Sequence, residues 1–317
     1  MTIECARIEA IDKPWGSHNL RPWSVVDHGN TAIGELWFER ADKTALPPAL
    51  LVKLLFAEQR LSIQVHPDDV FAQSIGLANG KTEAWVVLAA KPGAQVALGL
   101  KHTLSDTQLR TAIIDGTIAD QVRWRKVIEG DVIFVPAGTI HAIGPGIVIA
   151  EFQQRSDATF RLFDYGSARE LHIQHALSVS NAGPASRQPS PKPLTKERTL
   201  LVSSPFFILE KLELLPGSLW ELSSDDETWL LVLEGHGEMD DKEVSRGEAM
   251  YIEQDRSELD VGAEGLKGLV VYRAPRPSPS LLRKRDGGLP AATSSDVRRP
   301  QMKSTILASV FSAGLLS

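Results

Sequence analysis

Between Leu51 and Glu151 the chain repeats one unit: a short aliphatic, often β-branched run closed by Gly, Pro or Asp. Runs of this length, punctuated so often by turn residues, predict the short strands of a sandwich or barrel. Leu61, Ile63 and Val65 alternate with Ser62, Gln64 and His66, so a strand there turns one apolar and one polar face. Lys81-Thr-Glu-Ala-Trp85 opens a second strand, in which the same period of two sets Lys81 beside Glu83. Gly130-Asp-Val-Ile-Phe-Val-Pro136-Ala-Gly138-Thr-Ile-His141 joins a buried strand to a Pro/Gly turn that leads directly into His141. The period changes at Ser105, which with Gln108 forms a capping box ahead of Leu109, Ala112 and Ile113 and predicts a helical insert. A shorter helix is expected between Asp68 and Leu77.

The stretch NAGPASRQPSPKPLTK, Asn181 to Lys196, reads as a linker, because its prolines and small polar residues neither sustain a ladder nor bury a core. Beyond it FFILEKLEL, TWLLVLEG and GEAMYIE again read as strands, and Gly247 to Glu253 parallels Gly130 to Pro136 as a weak internal repeat. The expected organisation is mainly β: a first domain over 1–180 with the helical insert, a linker over 181–196, and a second β domain over 197–274. A flexible tail over 275–317 follows, in which the final ILASVFSAGLL suits a short helix.

Composition narrows the functions open to such a fold. With 317 residues, 43% of them hydrophobic and 23% charged, the chain has the make-up of a folded globular protein. A formal net charge of −6 argues against nonspecific nucleic-acid binding, so an anionic ligand requires a local basic pocket. The single cysteine, Cys5, rules out a disulfide framework or a thiolate-built zinc site and fits a reducing cytoplasm. No apolar stretch reaches about 18 residues and the N-terminus lacks a signal-peptide pattern, so neither a membrane span nor export is expected.

Gln64, His66, Glu83 and His141 together offer an amide oxygen, two imidazoles and a carboxylate, a donor set suited to a borderline divalent ion such as zinc. His18, His28, His102, His172, His175 and His236 have no comparable partners and read as ordinary surface or core histidines.

Gly130 to His141 matches the second cupin motif, G-x5-P-x-G-x2-H, and Gln64-Val-His66-Pro-Asp68 resembles the metal motif of phosphomannose isomerases. Lys13-Pro-Trp-Gly16, Gly34-Glu-Leu-Trp37, Gly80-Lys-Thr-Glu83 and Gln153-Gln-Arg-Ser-Asp-Ala-Thr-Phe-Arg161 extend the match from Lys13 to about His175. The chain thus resembles the short bacterial form of the type I phosphomannose isomerase family, within the cupin superfamily. The resemblance implies two cupin-like β-barrel (jelly-roll) domains and one zinc per chain on Gln64, His66, Glu83 and His141. It also implies catalytic roles for Arg161 and Lys81, and a small sugar-phosphate substrate bound by Lys53, Lys81 and Arg161; Ser62, on the strand face of two of the ligands, reads either as a further substrate-binding residue or as one that satisfies backbone groups. The implied reaction interconverts mannose 6-phosphate and fructose 6-phosphate through a metal-stabilised enediolate. Glu151 reads either as an acid behind the ligands or as a strand-end surface residue.

Two features depart from the family pattern. Arg155 stands where Asn is common and is expected to add positive charge near the site. Glu253 and Glu258 replace the repeat's equivalents of Pro136 and His141, so the second half is expected to bind no metal and to support the first. Other classes with the same donors are an iron-dependent cupin dioxygenase, since two His and a carboxylate also make a facial triad, and a noncatalytic sugar-phosphate-binding cupin. Gln64 and the flanking basic residues argue against the dioxygenase. The general base and the oligomeric state stay open at this level.

Overall fold

Three antiparallel sheets account for most of the architecture of the computed structural model, which describes residues 2–167 and 169–274 and the backbone of Arg283–Lys284. The six-stranded sheet runs in the order Arg7–Ser17, Ile33–Glu39, Leu50–Ala57, Ile147–Gln154, Glu83–Ala90, Val132–Val135. The five-stranded sheet runs Phe160–Phe163, Ile63–Val65, His141–Ile143, Gln95–Leu100, Val122–Lys126. The C-terminal half forms a ten-stranded sheet that also takes in the first strand, since Thr2–Cys5 pairs with Ala249–Glu253. Mainly β, cupin-like layering is thus present, although none of the three sheets closes into a barrel.

Alternating side chains explain how the layers stack. One face of the six-stranded sheet meets the five-stranded sheet through Leu55, Trp85, Val96, Ile143 and Ile149. Its other face meets the ten-stranded sheet through Phe38, Leu54, Phe152, Leu209, Trp229 and Val271. Leu50–Ala57 lies in the middle of this stack and is buried at every residue, which is why it reads as an unbroken apolar run apart from Lys53. The outer face of the five-stranded sheet is covered by helices, with Ile63, Val65 and Leu162 against Leu109, Ile113 and Ala176.

Local signals and structure agree at the helical insert. Asp106–Ile114 is helical, and the Ser105 and Gln108 side chains form the reciprocal capping box. Asp69–Ser74 is the shorter helix, capped by Asp68, whereas the helix Ile173–Val179 has no counterpart in the sequence reading. The segment 181–196 lies along the first sandwich: the Gln188 amide accepts from Phe134 N at 2.8 Å and donates to Phe134 O at 3.0 Å. The tail beyond Ala274 lies outside the described residues, except for the backbone of Arg283–Lys284.

Candidate metal centre and cavity

Two glycines bring the motif segments together. Gly138 adopts φ +84°, a conformation open to Gly, and its N–H donates to His66 O at 2.8 Å. At Gly80 a Cβ would lie 2.4 Å from the carbonyl carbon of Asp68, so only Gly lets Gly80 N donate to Asp69 Oδ1 at 2.8 Å and Lys81 N to Pro67 O at 2.9 Å. His66, Lys81 and His141 are thereby drawn to one end of the sandwich. Across the five-stranded sheet, Gln64 stands opposite both His141 and Arg161, which puts the three in one row.

The imidazoles are oriented by the backbone. His66 Nδ1 donates to Ala158 O and His141 Nδ1 to Thr139 O, both at 2.8 Å, which leaves the Nε2 atoms with free lone pairs. Those atoms lie 3.5 Å and 3.4 Å from the two Glu83 oxygens. All three ligand atoms fall within 4.8 Å of one another, and all three residues are buried. His66 Nε2 and Glu83 Oε1 have no hydrogen-bond partner, and Glu83 Oε2 has the Lys81 ammonium beside it, an arrangement that buried polar atoms seldom tolerate unless a further cation joins them. Among the described residues this is the one cluster of three or more His, Cys, Asp or Glu groups able to hold a metal. Gln64 is in place, but its Nε2 faces His141 Nε2 at 3.3 Å while its oxygen accepts from Ser62 Oγ at 3.1 Å. Ligation through the oxygen requires the amide turned over, the alternative that amide placement leaves open.

The charge states suit a cation. Burial, reinforced by Lys81, holds His66 well below the ordinary imidazole range, and burial lowers His141 likewise. Burial works to raise Glu83, but Lys81 and His141 outweigh it and keep the carboxyl low. Burial works to lower Lys81, yet the Glu83 and Glu151 carboxylates raise it, so it stays an ammonium, 3.1 Å from Glu83 Oε2. Glu151 is 3% exposed and pushed up to about 7, burial being the largest cause.

Beside the metal cluster lies a cavity of about 160 Å³, whose wall includes Ser62, Gln64, Lys81, Glu151 and Arg161 from the sequence reading. Lys53 is also in the wall, with its ammonium 3.3 Å from Glu35, 3.7 Å from Asp157 and 3.8 Å from Glu151. The structure adds Lys13, Trp15, Glu35, Asp157, Thr159, Arg169 and His172, to which the sequence reading gave no role. Their signal was weak: Glu35 and Trp37 are alternate residues of one matched motif, while Arg169 and His172 follow the last match with no periodicity. His172, read as an ordinary histidine, lines the cavity and accepts the Arg161 N–H at Nδ1, 3.2 Å away. Two expectations resolve differently. Glu151 is an internal residue of the site and not a surface one. Arg155 does not add charge to the cavity, because one guanidinium nitrogen engages both oxygens of Glu39, at 2.6 and 2.7 Å.

No protein-family model matches the chain. Mannose-6-phosphate isomerase of Streptococcus mutans is 37% identical over 264 residues, covering 71% of this chain and 83% of the relative. Mannose-6-phosphate isomerase ManA of Bacillus subtilis is 38% identical over 172 residues, 49% of this chain and 54% of its own. The crystal structure of the Bacillus subtilis mannose 6-phosphate isomerase superposes with a TM-score of 0.73 at 25% identity, covering 86% of this chain and 99% of that one. A zinc-bound holo mannose 6-phosphate isomerase shares the fold, with a TM-score of 0.64 at 14% identity over 86% of this chain and all of the other. With the aligned length of the Streptococcus relative and the converging His66, Glu83 and His141 taken together, the chain belongs to the mannose-6-phosphate isomerase family.

Proposed function

We propose that this protein is an aldose-ketose isomerase that interconverts mannose 6-phosphate and fructose 6-phosphate, with one zinc ion per chain held by His66, Glu83, His141 and Gln64. The observation that carries the reading is the convergence of buried ligand atoms of His66, Glu83 and His141 within 4.8 Å of one another, with His66 Nε2 and Glu83 Oε1 unpartnered, next to a cavity walled by Lys81 and Arg161. A divalent ion bound there supplies Lewis-acid stabilisation of negative charge on the sugar oxygens without redox chemistry.

The reaction moves a proton from C2 of the aldose to C1 through an enediolate. Lys81 is held charged, so its part is to donate hydrogen bonds to a developing oxyanion and not to abstract a proton. Glu151 stands in the wall 4.0 Å from Lys81 Nζ and, at about 7, is the carboxyl suited to carry the proton. Arg161 shares a row with Gln64 and has an unpartnered buried Nε, which makes it the cation of the cavity wall best placed for the phosphate, with His172 and the Asp164-paired Arg169 lining the wall as well. Ser62 fixes the Gln64 amide. The second β half, 197–274, is read as support without a metal, and the protein as cytoplasmic. Loading the purified protein with zinc or with iron and following both ketose formation and oxygen uptake tests the assignment: isomerisation with zinc and no oxygen uptake is expected. Oxygen uptake without isomerisation rejects it.

A further inference from the structure

Lys53 is the one basic residue in the middle of a strand buried from end to end, and its side chain is 1% exposed. A buried ammonium persists only where opposite charge compensates it. Here three carboxylates do so: Glu35 at 3.3 Å, Asp157 at 3.7 Å and Glu151 at 3.8 Å. A fourth side is covered by the Trp37 indole, whose centre lies 4.5 Å from Nζ and whose own Nε1–H donates to Glu35 Oε2 at 2.6 Å. The strand register explains the arrangement. Trp37, Lys53, Glu151 and Trp85 stand opposite one another on four adjacent strands, so their side chains form one row, of which Lys53, Glu151 and Trp85 line the cavity.

This environment is unlike a phosphate site. The Lys53 ammonium is already in contact with three carboxylates, so a phosphate dianion brought against it would have to compete with Glu35, Asp157 and Glu151 for the same charge. The cavity wall also carries Arg161, whose buried Nε has no hydrogen-bond partner, whereas the Arg169 guanidinium is taken up by Asp164 at 2.6 and 2.7 Å. We propose that Lys53 is a positioning residue that holds Glu151 and Asp157 at fixed places in the cavity wall, and that it is not a ligand of the substrate phosphate. The inference rests on the isomerase reading for the part played by Glu151, but its phosphate arm does not depend on turnover.

The test uses the zinc-loaded full chain and inorganic phosphate as the probe, titrated calorimetrically into wild type, Lys53→Met, Lys53→Arg and Glu35→Gln, with steady-state kinetics on each. Arg161→Ala, weakening phosphate in the same titration, shows that the titration reads the cavity wall. A positioning role predicts phosphate affinity within about twofold of wild type in Lys53→Met, with kcat reduced about 100-fold because the carboxylates shift. Lys53→Arg keeps the buried charge without a transferable proton and is expected to recover at least about tenfold of that loss. Should Lys53→Met fail to fold, Glu35→Gln reads the same point, with a lowered kcat and phosphate bound no more weakly than by wild type. Phosphate binding weakened about tenfold or more in either variant, the cost of a lost charge-assisted contact, overturns the proposal. So does Lys53→Arg as inactive as Lys53→Met, which makes Lys53 a proton carrier. Phosphate results as expected with no turnover by wild type sink the isomerase reading and still reject Lys53 as a phosphate ligand.

Discussion

Gln64 and His141 face each other across one antiparallel pair, with their side-chain Nε2 atoms 3.3 Å apart and Ser62 Oγ donating to Gln64 Oε1 at 3.1 Å. The amide N–H therefore points at the lone pair that a metal would take. Turning the amide over would supply an oxygen ligand and leave Ser62 Oγ to accept from the amide nitrogen. Gln64→Leu is expected to lower zinc affinity by about 10- to 100-fold, and Ser62→Ala by less, in competition against a chromogenic chelator. Wild-type affinity in Gln64→Leu would remove Gln64 from the ligand set.

Gly80 tests how closely the motif loops must approach. A methyl group there would sit 2.4 Å from Asp68 C and 2.6 Å from Asp69 N, both backbone atoms with little room to yield. Gly80→Ala should cost about 1–3 kcal/mol in urea unfolding and displace Lys81, so that kcat/KM falls further than stability alone explains. An unchanged kcat/KM would show that Lys81 does not need its present position.

The Glu35 carboxyl gives a pH signature. Burial works to raise it, but Lys53 and Lys13 outweigh burial and hold it at about 2 in the folded protein. The unfolded value is about 4.3, so the folded state binds this proton less tightly, and the resulting stability is complete above that value and fades as pH falls toward 2. Glu35→Gln should therefore be less stable than wild type by about 3 kcal/mol at pH 7, a gap that narrows as pH drops below about 4. Chemical denaturation across that range measures it, and a gap that widens in acid would contradict the ion-pair account.

Glu227 ties the C-terminal half to the strand that carries Lys53. Its carboxylate, 3% exposed, accepts from Ala49 N at 2.6 Å, Leu50 N at 2.9 Å and Trp229 Nε1 at 2.9 Å. Glu227→Ala orphans those donors and is expected to destabilise the fold by about 2–4 kcal/mol in a denaturant titration. Loss below about 0.5 kcal/mol would mean that water replaces the carboxylate without penalty.

The parts of this architecture that a sequence shows are those with local causes. The capping box at Ser105 and Gln108 is a contact between near neighbours, and the alternation of Ser62, Gln64 and His66 fixes one face of a strand whatever it pairs with. The Pro136 and Gly138 turn ahead of His141 is equally local. Pairing over long separations leaves no such trace: nothing near Thr2 announces its partner Glu253, and nothing near Arg155 announces Glu39. The same holds for the cavity wall. Glu35, Asp157 and Glu151 come together around Lys53 only because three distant segments share one end of the sandwich.

In the proposed reaction His66, Glu83 and His141 hold the ion on which isomerisation depends. The direct measurement is turnover of mannose 6-phosphate by purified wild type, after chelation and after zinc is returned, with His141→Ala alongside and folding checked by circular dichroism. Activity is expected to be abolished by chelator, restored by zinc, and absent in a folded His141→Ala that no longer retains the metal. Turnover that survives chelation, or a folded, zinc-loaded wild type that leaves mannose 6-phosphate unchanged, would contradict it.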